Sequence, residues 1–174
     1  WAQTKLRARL IQSLVIRKQR VQIDHQLREA GISGMVLKGE DFADHLYAFA
    51  SLRFFTDLDI LLRRADFDRA GAILSGMGYV RADASWRKHA NCIYGEEAWK
   101  PAEATAPFGC VELHWNLINS PSLQRSVSIE WDDLVPPHVS VDAGLQSPDW
   151  NARLLIAAAH AAVGHGFDRL TLLC

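Results

Sequence analysis

Apolar residues fall into blocks whose spacing changes along the chain, and those changes mark out its elements. Leu6, Leu10 and Leu14 stand at i, i+4 and i+8, followed by Val21 and Leu27, which predicts one long or two shorter helices over residues 3–30, ended by Gly31. Residues 34–39, Gly-Met-Val-Leu-Lys-Gly, read as a short apolar strand closing on Lys38-Gly39, and Phe42, Leu46 and Phe49 then follow helical spacing. Residues 57–62 form a short Leu/Ile-rich run bounded by Arg63 and Arg64, the pattern of a buried strand. A helix over 66–77 presents Phe67, Ala70, Leu74 and Met77 inward and closes at Gly76 and Gly78. Strands are predicted at 79–81 and 89–94, and a loop near the site mouth over 95–107, where no period is visible.

Residues 108–115 alternate again, with Cys110, Glu112 and His114 on one face and Val111, Leu113 and Trp115 on the other. The stretch 120–147 is irregular, and Pro136-Pro137 marks a turn or linker. Asp149 is placed to cap a helix running through Val163, and residues 168–173 resemble the opening turns of another. The chain begins at Trp1 rather than Met, so a domain excerpt with a truncated C-terminal helical part is expected.

Candidate chemistry starts with Asp57 and Asp59, which open the 57–62 strand two residues apart. On a strand such residues share a face with Cα atoms roughly 7 Å apart. Two carboxylates so placed repel unless a cation stands between them. Mg²⁺ suits the pair, because it binds through one or two carboxylates together with substrate phosphates. The alternative is that both aspartates cap the strand and face solvent. A strand that turns through glycine into a helix, as at Lys38-Gly39, offers backbone N–H groups and a cation to an anion. Glu112, flanked by apolar residues, needs a partner. Cys110, Glu112 and His114 hint at zinc, but i and i+4 on one strand lie roughly 13 Å apart and need a third element to share an ion. His160 and His165, five residues apart, do not share a helix face.

Taken in order, Val36-Leu37-Lys38-Gly39, Leu46-Tyr47, Arg53, Asp57-Leu58-Asp59-Ile60-Leu61-Leu62, Gly78-Tyr79 and Val111-Glu112-Leu113-His114-Trp115 resemble the uncharacterised nucleotidyltransferase family of the polymerase-β-like superfamily. The resemblance runs along nearly the whole chain. It implies an α/β (α+β) fold: a mixed β-sheet flanked by helices, with a helical segment at 1–30, a core at 31–135, and a linker and the start of a C-terminal helical region at 136–174. It also implies that Asp57, Asp59 and Glu112 hold two Mg²⁺ ions and carry catalysis. Lys38, Gly39 and Arg53 would contact the triphosphate, and His114 would orient the acid or touch the nucleotide. The implied reaction moves a nucleoside monophosphate from an NTP, expected to be ATP, to a hydroxyl acceptor with loss of pyrophosphate. The acceptor class stays open among small molecule, sugar, peptide and protein.

Glu40 follows Gly39 where the superfamily commonly has a serine, so its carboxylate must turn away from a bound triphosphate or meet metal. That residue motivates an alternative, a catalytically weak nucleotide-binding or regulatory module. A metal-dependent phosphohydrolase using the same acids is a third reading. Composition narrows the classes further. Of 174 residues, 49% are hydrophobic and 22% charged, enough for one core and part of a second unit. A net charge of -1 argues against a broad nucleic-acid surface. No apolar run approaches a membrane span, and Cys92, Cys110 and Cys174 lack metal spacing, so reduced thiols and a cytoplasmic location are expected.

Overall fold

The computed structural model describes residues 2–82, 95–103, 109–136, 138 and 141–164. One helix, α1 (Ala2–Glu29), precedes β1 (Ser33–Val36), α2 (Glu40–Leu46), β2 (Asp57–Leu62) and α3 (Phe67–Gly76). After these come β3 (Tyr79–Arg81), β4 (Glu96–Pro101), β5 (Cys110–His114), α4 (Trp131–Leu134), β6 (Gly144–Gln146) and α5 (Trp150–Ala159), which runs on into a π turn, His160–Gly164. The strands make one mixed sheet in the order β3-β4-β5-β2-β1-β6. β2 pairs antiparallel with β1 and parallel with β5, and so lies near the middle of the sheet.

The period of two along β2 divides the core. Leu58, Ile60 and Leu62 point to one face, where they meet Ile16, Ile23 and Leu27 of α1 and Ala70 and Leu74 of α3. Leu61 points to the other, where Met35, Leu37 and Phe42 join Trp131, Leu134, Ala152 and Ile156. Asp57 and Asp59 belong to this second face. Helices α4 and α5 cover only part of it, which leaves the aspartate end of β2 at a rim.

Several expectations are corrected. Residues 96–101, read as part of a loop, form β4 between β3 and β5. Only Trp99 is buried there, so its charged neighbours hide the strand from a hydrophobic count. The stretch expected as linker from 136 onward supplies β6, which adds parallel to β1. Helix α1 packs through Gln12, Ile16, Gln19, Ile23 and Leu27, whereas Leu6, Leu10, Leu14 and Val21 are exposed. The buried Gln19 amide nitrogen donates to Tyr79 Oη (3.0 Å) and the Gly109 carbonyl (3.2 Å), while its Oε1 meets no partner among the described residues. Phe49 lies beyond α2 and is exposed. The strand predicted at 89–94, His165 and the helix predicted at 168–173 lie outside the described residues.

Helix α2 is anchored from both sides. Arg153 of α5 grips Asp41 with two hydrogen bonds of 2.8 and 3.1 Å, and both side chains are buried. Arg17 and Arg20 of α1 reach Glu40 at 3.0 and 3.1 Å. Removing one partner of a buried pair leaves an uncompensated charge. Arg153→Met should therefore lower stability by about 3 kcal/mol, and adding Asp41→Asn should recover part of the loss, as measured by urea unfolding.

Candidate active site

The parallel register of β2 with β5 sets Asp57 beside Cys110, Asp59 beside Glu112 and Leu61 beside His114. Registered neighbours in a sheet project to the same side, so both aspartates, Glu112 and His114 share the rim face. On the far side of β5, β4 sets Glu96 opposite His114. From β1 comes Lys38, just past the strand end, where the Leu37 N–H donates to the Asp59 carbonyl and extends the ladder (3.1 Å). Gly39 then turns with φ of 58°, a left-handed conformation that glycine adopts without steric cost. A side chain at Gly39 would also press on Phe55, whose Cβ lies 3.3 Å from the position of a Cβ there.

Asp59 is the centre of the cluster and only 1% exposed. Its Oδ1 lies 3.1 Å from Lys38 Nζ and 3.2 Å from His114 Nε2. Its Oδ2 is buried and has no hydrogen-bond partner among the described residues. His114 also lies 3.7 Å from Glu112 and, through Nδ1, 3.5 Å from Glu96. Asp59, Glu112 and His114 each offer a ligand atom, all within 4.8 Å of one another. The third element that the zinc argument required is thus β2. Asp57 stands outside this close trio, one strand repeat away, and its carboxylate accepts from the backbone N–H groups of Thr56 and Asp57 itself.

The charges respond to this crowding. Burial raises the Asp57 pKa, and Asp59 raises it further. Burial and the charges of Asp59 and Glu96 push Glu112 up to about 8, so that it holds a proton and shares it with Asp59. For Asp59 burial also acts upward, but Lys38 and His114 outweigh it and hold the carboxylate below its ordinary range. Burial would lower the Lys38 pKa, yet the attraction of Asp59, Asp57 and Glu112 exceeds it and the ammonium stays charged.

Arg53 rests on aromatic rings. Its guanidinium lies against the rings of Phe42 (5.4 Å) and Tyr47 (5.8 Å), its Nε is buried without a partner, and it makes no ion pair among the described residues. Glu40, in salt bridges with Arg17 and Arg20, meets the requirement that its carboxylate turn away from the Lys38-Gly39 turn. Glu96 is the site residue that sequence reasoning missed. Its strand carries a single buried side chain, so the signal available was Trp99 alone between Glu96-Glu97 and Lys100. Beside the acids opens a cavity of about 590 Å³, lined in part by Lys38, Glu96, His114 and His160.

An ion fits these residues. The buried, unpaired Asp59 Oδ2 is an oxygen ligand lacking a cation, and Glu112 adds a second carboxylate of the kind that Mg²⁺ takes. Among known proteins, a family model described as an uncharacterised nucleotidyltransferase matches residues 2–174. No curated protein and no solved structure matches the chain.

Two outcomes follow from the electrostatics. Lys38→Met leaves Asp59 buried beside fewer positive groups, and should destabilise the metal-free protein on the order of 3 kcal/mol, with part of the loss restored by millimolar Mg²⁺ in thermal unfolding. Because the folded state holds the Glu112 proton more tightly than the unfolded chain, its contribution is fully present below the ordinary value of 4.5 and is lost as pH rises towards 8. Wild-type protein should therefore lose stability relative to Glu112→Gln between about pH 5 and 8, and parallel curves across that range would contradict the assignment.

Proposed function

The chain belongs to the uncharacterised nucleotidyltransferase family, and from that premise we propose that it is a Mg²⁺-dependent enzyme moving a nucleoside monophosphate from an NTP to an acceptor hydroxyl, with release of pyrophosphate. The observation that carries this reading is the gathering of Asp57, Asp59 and Glu112 around one charged Lys38 on a single sheet face. Mg²⁺ held by these three carboxylates would supply charge that offsets what develops on the attacking and leaving oxygens.

The remaining roles belong to the chain itself. Lys38 releases Asp59 as the site takes up cations and turns its ammonium to the phosphates, helped by N–H groups of the Gly39 turn. His114 fixes the Asp59 carboxylate through its 3.2 Å contact. Glu112 accepts the hydroxyl proton only in its ionised form, which burial and the neighbouring acids confine to pH above about 8 while the site holds no cation. Arg53, braced by Phe42 and Tyr47, is a further phosphate contact. The alternative of a weak binding module was motivated by Glu40, and the ion pairs of Glu40 to α1 favour the enzyme reading over it.

Calorimetry with Mg²⁺ and each NTP tests binding, and labelled NTP incubated with fractionated cell extract tests transfer. Asp59→Ala should abolish Mg²⁺-dependent binding. Glu112→Gln should bind NTP yet slow pyrophosphate release roughly 10²- to 10⁴-fold. NTP binding that ignores Mg²⁺ would refute the proposal, as would release of inorganic phosphate without any acceptor, which is the phosphohydrolase outcome.

A further inference from the structure

Both ring nitrogens of His114 face carboxylates. Nε2 lies 3.2 Å from Asp59 Oδ1 and 3.7 Å from Glu112, and Nδ1 lies 3.5 Å from Glu96. The sheet sets this arrangement. Parallel pairing of β2 with β5 delivers Asp59 to the face that carries Glu112 and His114, while the antiparallel register of β4 puts Glu96 directly opposite His114. Just past that pair the Trp115 N–H donates to the Gly95 carbonyl (2.8 Å), which closes the ladder and holds the two residues abreast. The imidazole is buried, so these contacts fix its orientation.

The buried end of the cluster offers a mixed set of donors. Asp57 stands apart from it, and the groups whose ligand atoms lie within 4.8 Å of one another are Asp59, Glu112 and His114. Mg²⁺ is held by carboxylates, phosphates and water, and has little use for a nitrogen. Imidazole suits transition ions instead, and Mn²⁺, the first of the affinity series among them, shares the preference of Mg²⁺ for carboxylate oxygen. A histidine that ligates a metal through one nitrogen almost always donates its other N–H to a carboxylate, carbonyl or water, which fixes the tautomer and the ring. Glu96 occupies that outer position. Asp59 Oδ2, buried and without a hydrogen-bond partner among the described residues, is a further donor atom for the same ion.

We propose that His114 Nε2 is itself an ion ligand, oriented by Glu96, and that the Asp59–Glu112–His114 end of the site takes a divalent first-row transition ion such as Mn²⁺ in preference to Mg²⁺. The proposal rests on the nucleotidyltransferase reading and identifies the ion that serves it. The neutral ring with its proton on Nδ1, directed at Glu96, presents a free lone pair at Nε2. A histidine acting only as a counterion to Asp59 would donate from Nε2 and leave no lone pair for a metal.

The two cases differ in a direct spectroscopic observable. The 174-residue chain, stripped of metal by chelation and given an equivalent of Mn²⁺ in nitrogen-free buffer without nucleotide, is read by electron spin-echo envelope modulation. Wild type should show nitrogen modulation from imidazole, and His114→Gln should lose it while still binding Mn²⁺ through the acids. By calorimetry, wild type should bind Mn²⁺ roughly tenfold or more tighter than Mg²⁺, and His114→Gln should shrink that margin by weakening Mn²⁺ while Mg²⁺ stays within about twofold. Glu96→Gln should keep the nitrogen signal yet weaken Mn²⁺ roughly 10- to 100-fold. Combined with His114→Gln it should add little, because Glu96 acts through the imidazole. Additive losses would overturn the positioning role of Glu96. Should His114→Gln fail to fold, the wild-type modulation and Glu96→Gln decide. No nitrogen modulation in wild type, or a signal that survives His114→Gln, overturns the ligand assignment, and Mg²⁺-dependent NTP binding would then still support the enzyme. An NTP that binds with neither ion overturns the nucleotidyltransferase reading whatever the modulation shows.

Discussion

A sheet face that buries a carboxylate as deeply as Asp59 must bring positive charge to it, and the structure around the site follows from that demand. Lys38 supplies the charge from the end of β1, which fixes where β1 must stop and where the chain must turn. The turn needs Gly39 in a left-handed conformation close under Phe55. Asp59 in turn aligns β5, because the register that puts Glu112 beside it also delivers His114 to its Oδ1. Four acids and two nitrogen bases thereby occupy one rim of a sheet whose opposite face is wholly apolar around Leu58, Ile60 and Leu62.

Much of this was legible in the sequence, for a physical reason. The alternation along 57–62 and 110–114 puts Asp57 with Asp59 on one face of its strand and Glu112 with His114 on one face of theirs, but that the two faces coincide is set by the pairing of β2 with β5. Register between β2 and β5 could not be read, because 47 residues lie between the end of β2 at Leu62 and the start of β5 at Cys110, and no local period encodes the pairing across them. Glu96 was hidden for a related reason. A strand with one buried residue satisfies its backbone through β3 and β5 while leaving no apolar stripe.

Helix α1 shows a different limit. Its extent to Gly31 was legible from spacing, but its being one helix and not two was left open, and its packed face was missed because Leu6, Leu10 and Leu14 are stronger hydrophobic signals than the Gln12, Ile16 and Gln19 stripe that meets the sheet. Gln19 is buried for its hydrogen bonds to Tyr79 and Gly109, a tertiary fact invisible to hydropathy. The fate of Glu40 was equally non-local. Its partners Arg17 and Arg20 lie on α1, so whether the carboxylate opposed or avoided the phosphate turn depended on a docked helix.

That docking has a consequence for how the chain can be divided. Adjacent residues at the start of α2 are held by opposite ends of the sequence, Glu40 by α1 and Asp41 by an arginine 112 positions away. A fragment trimmed to the sheet and its nearest helices would keep both acids and lose their counterions. The smallest autonomous folding unit therefore includes α1 and α5, and its assembly must close a very long loop before the phosphate turn gains its final support.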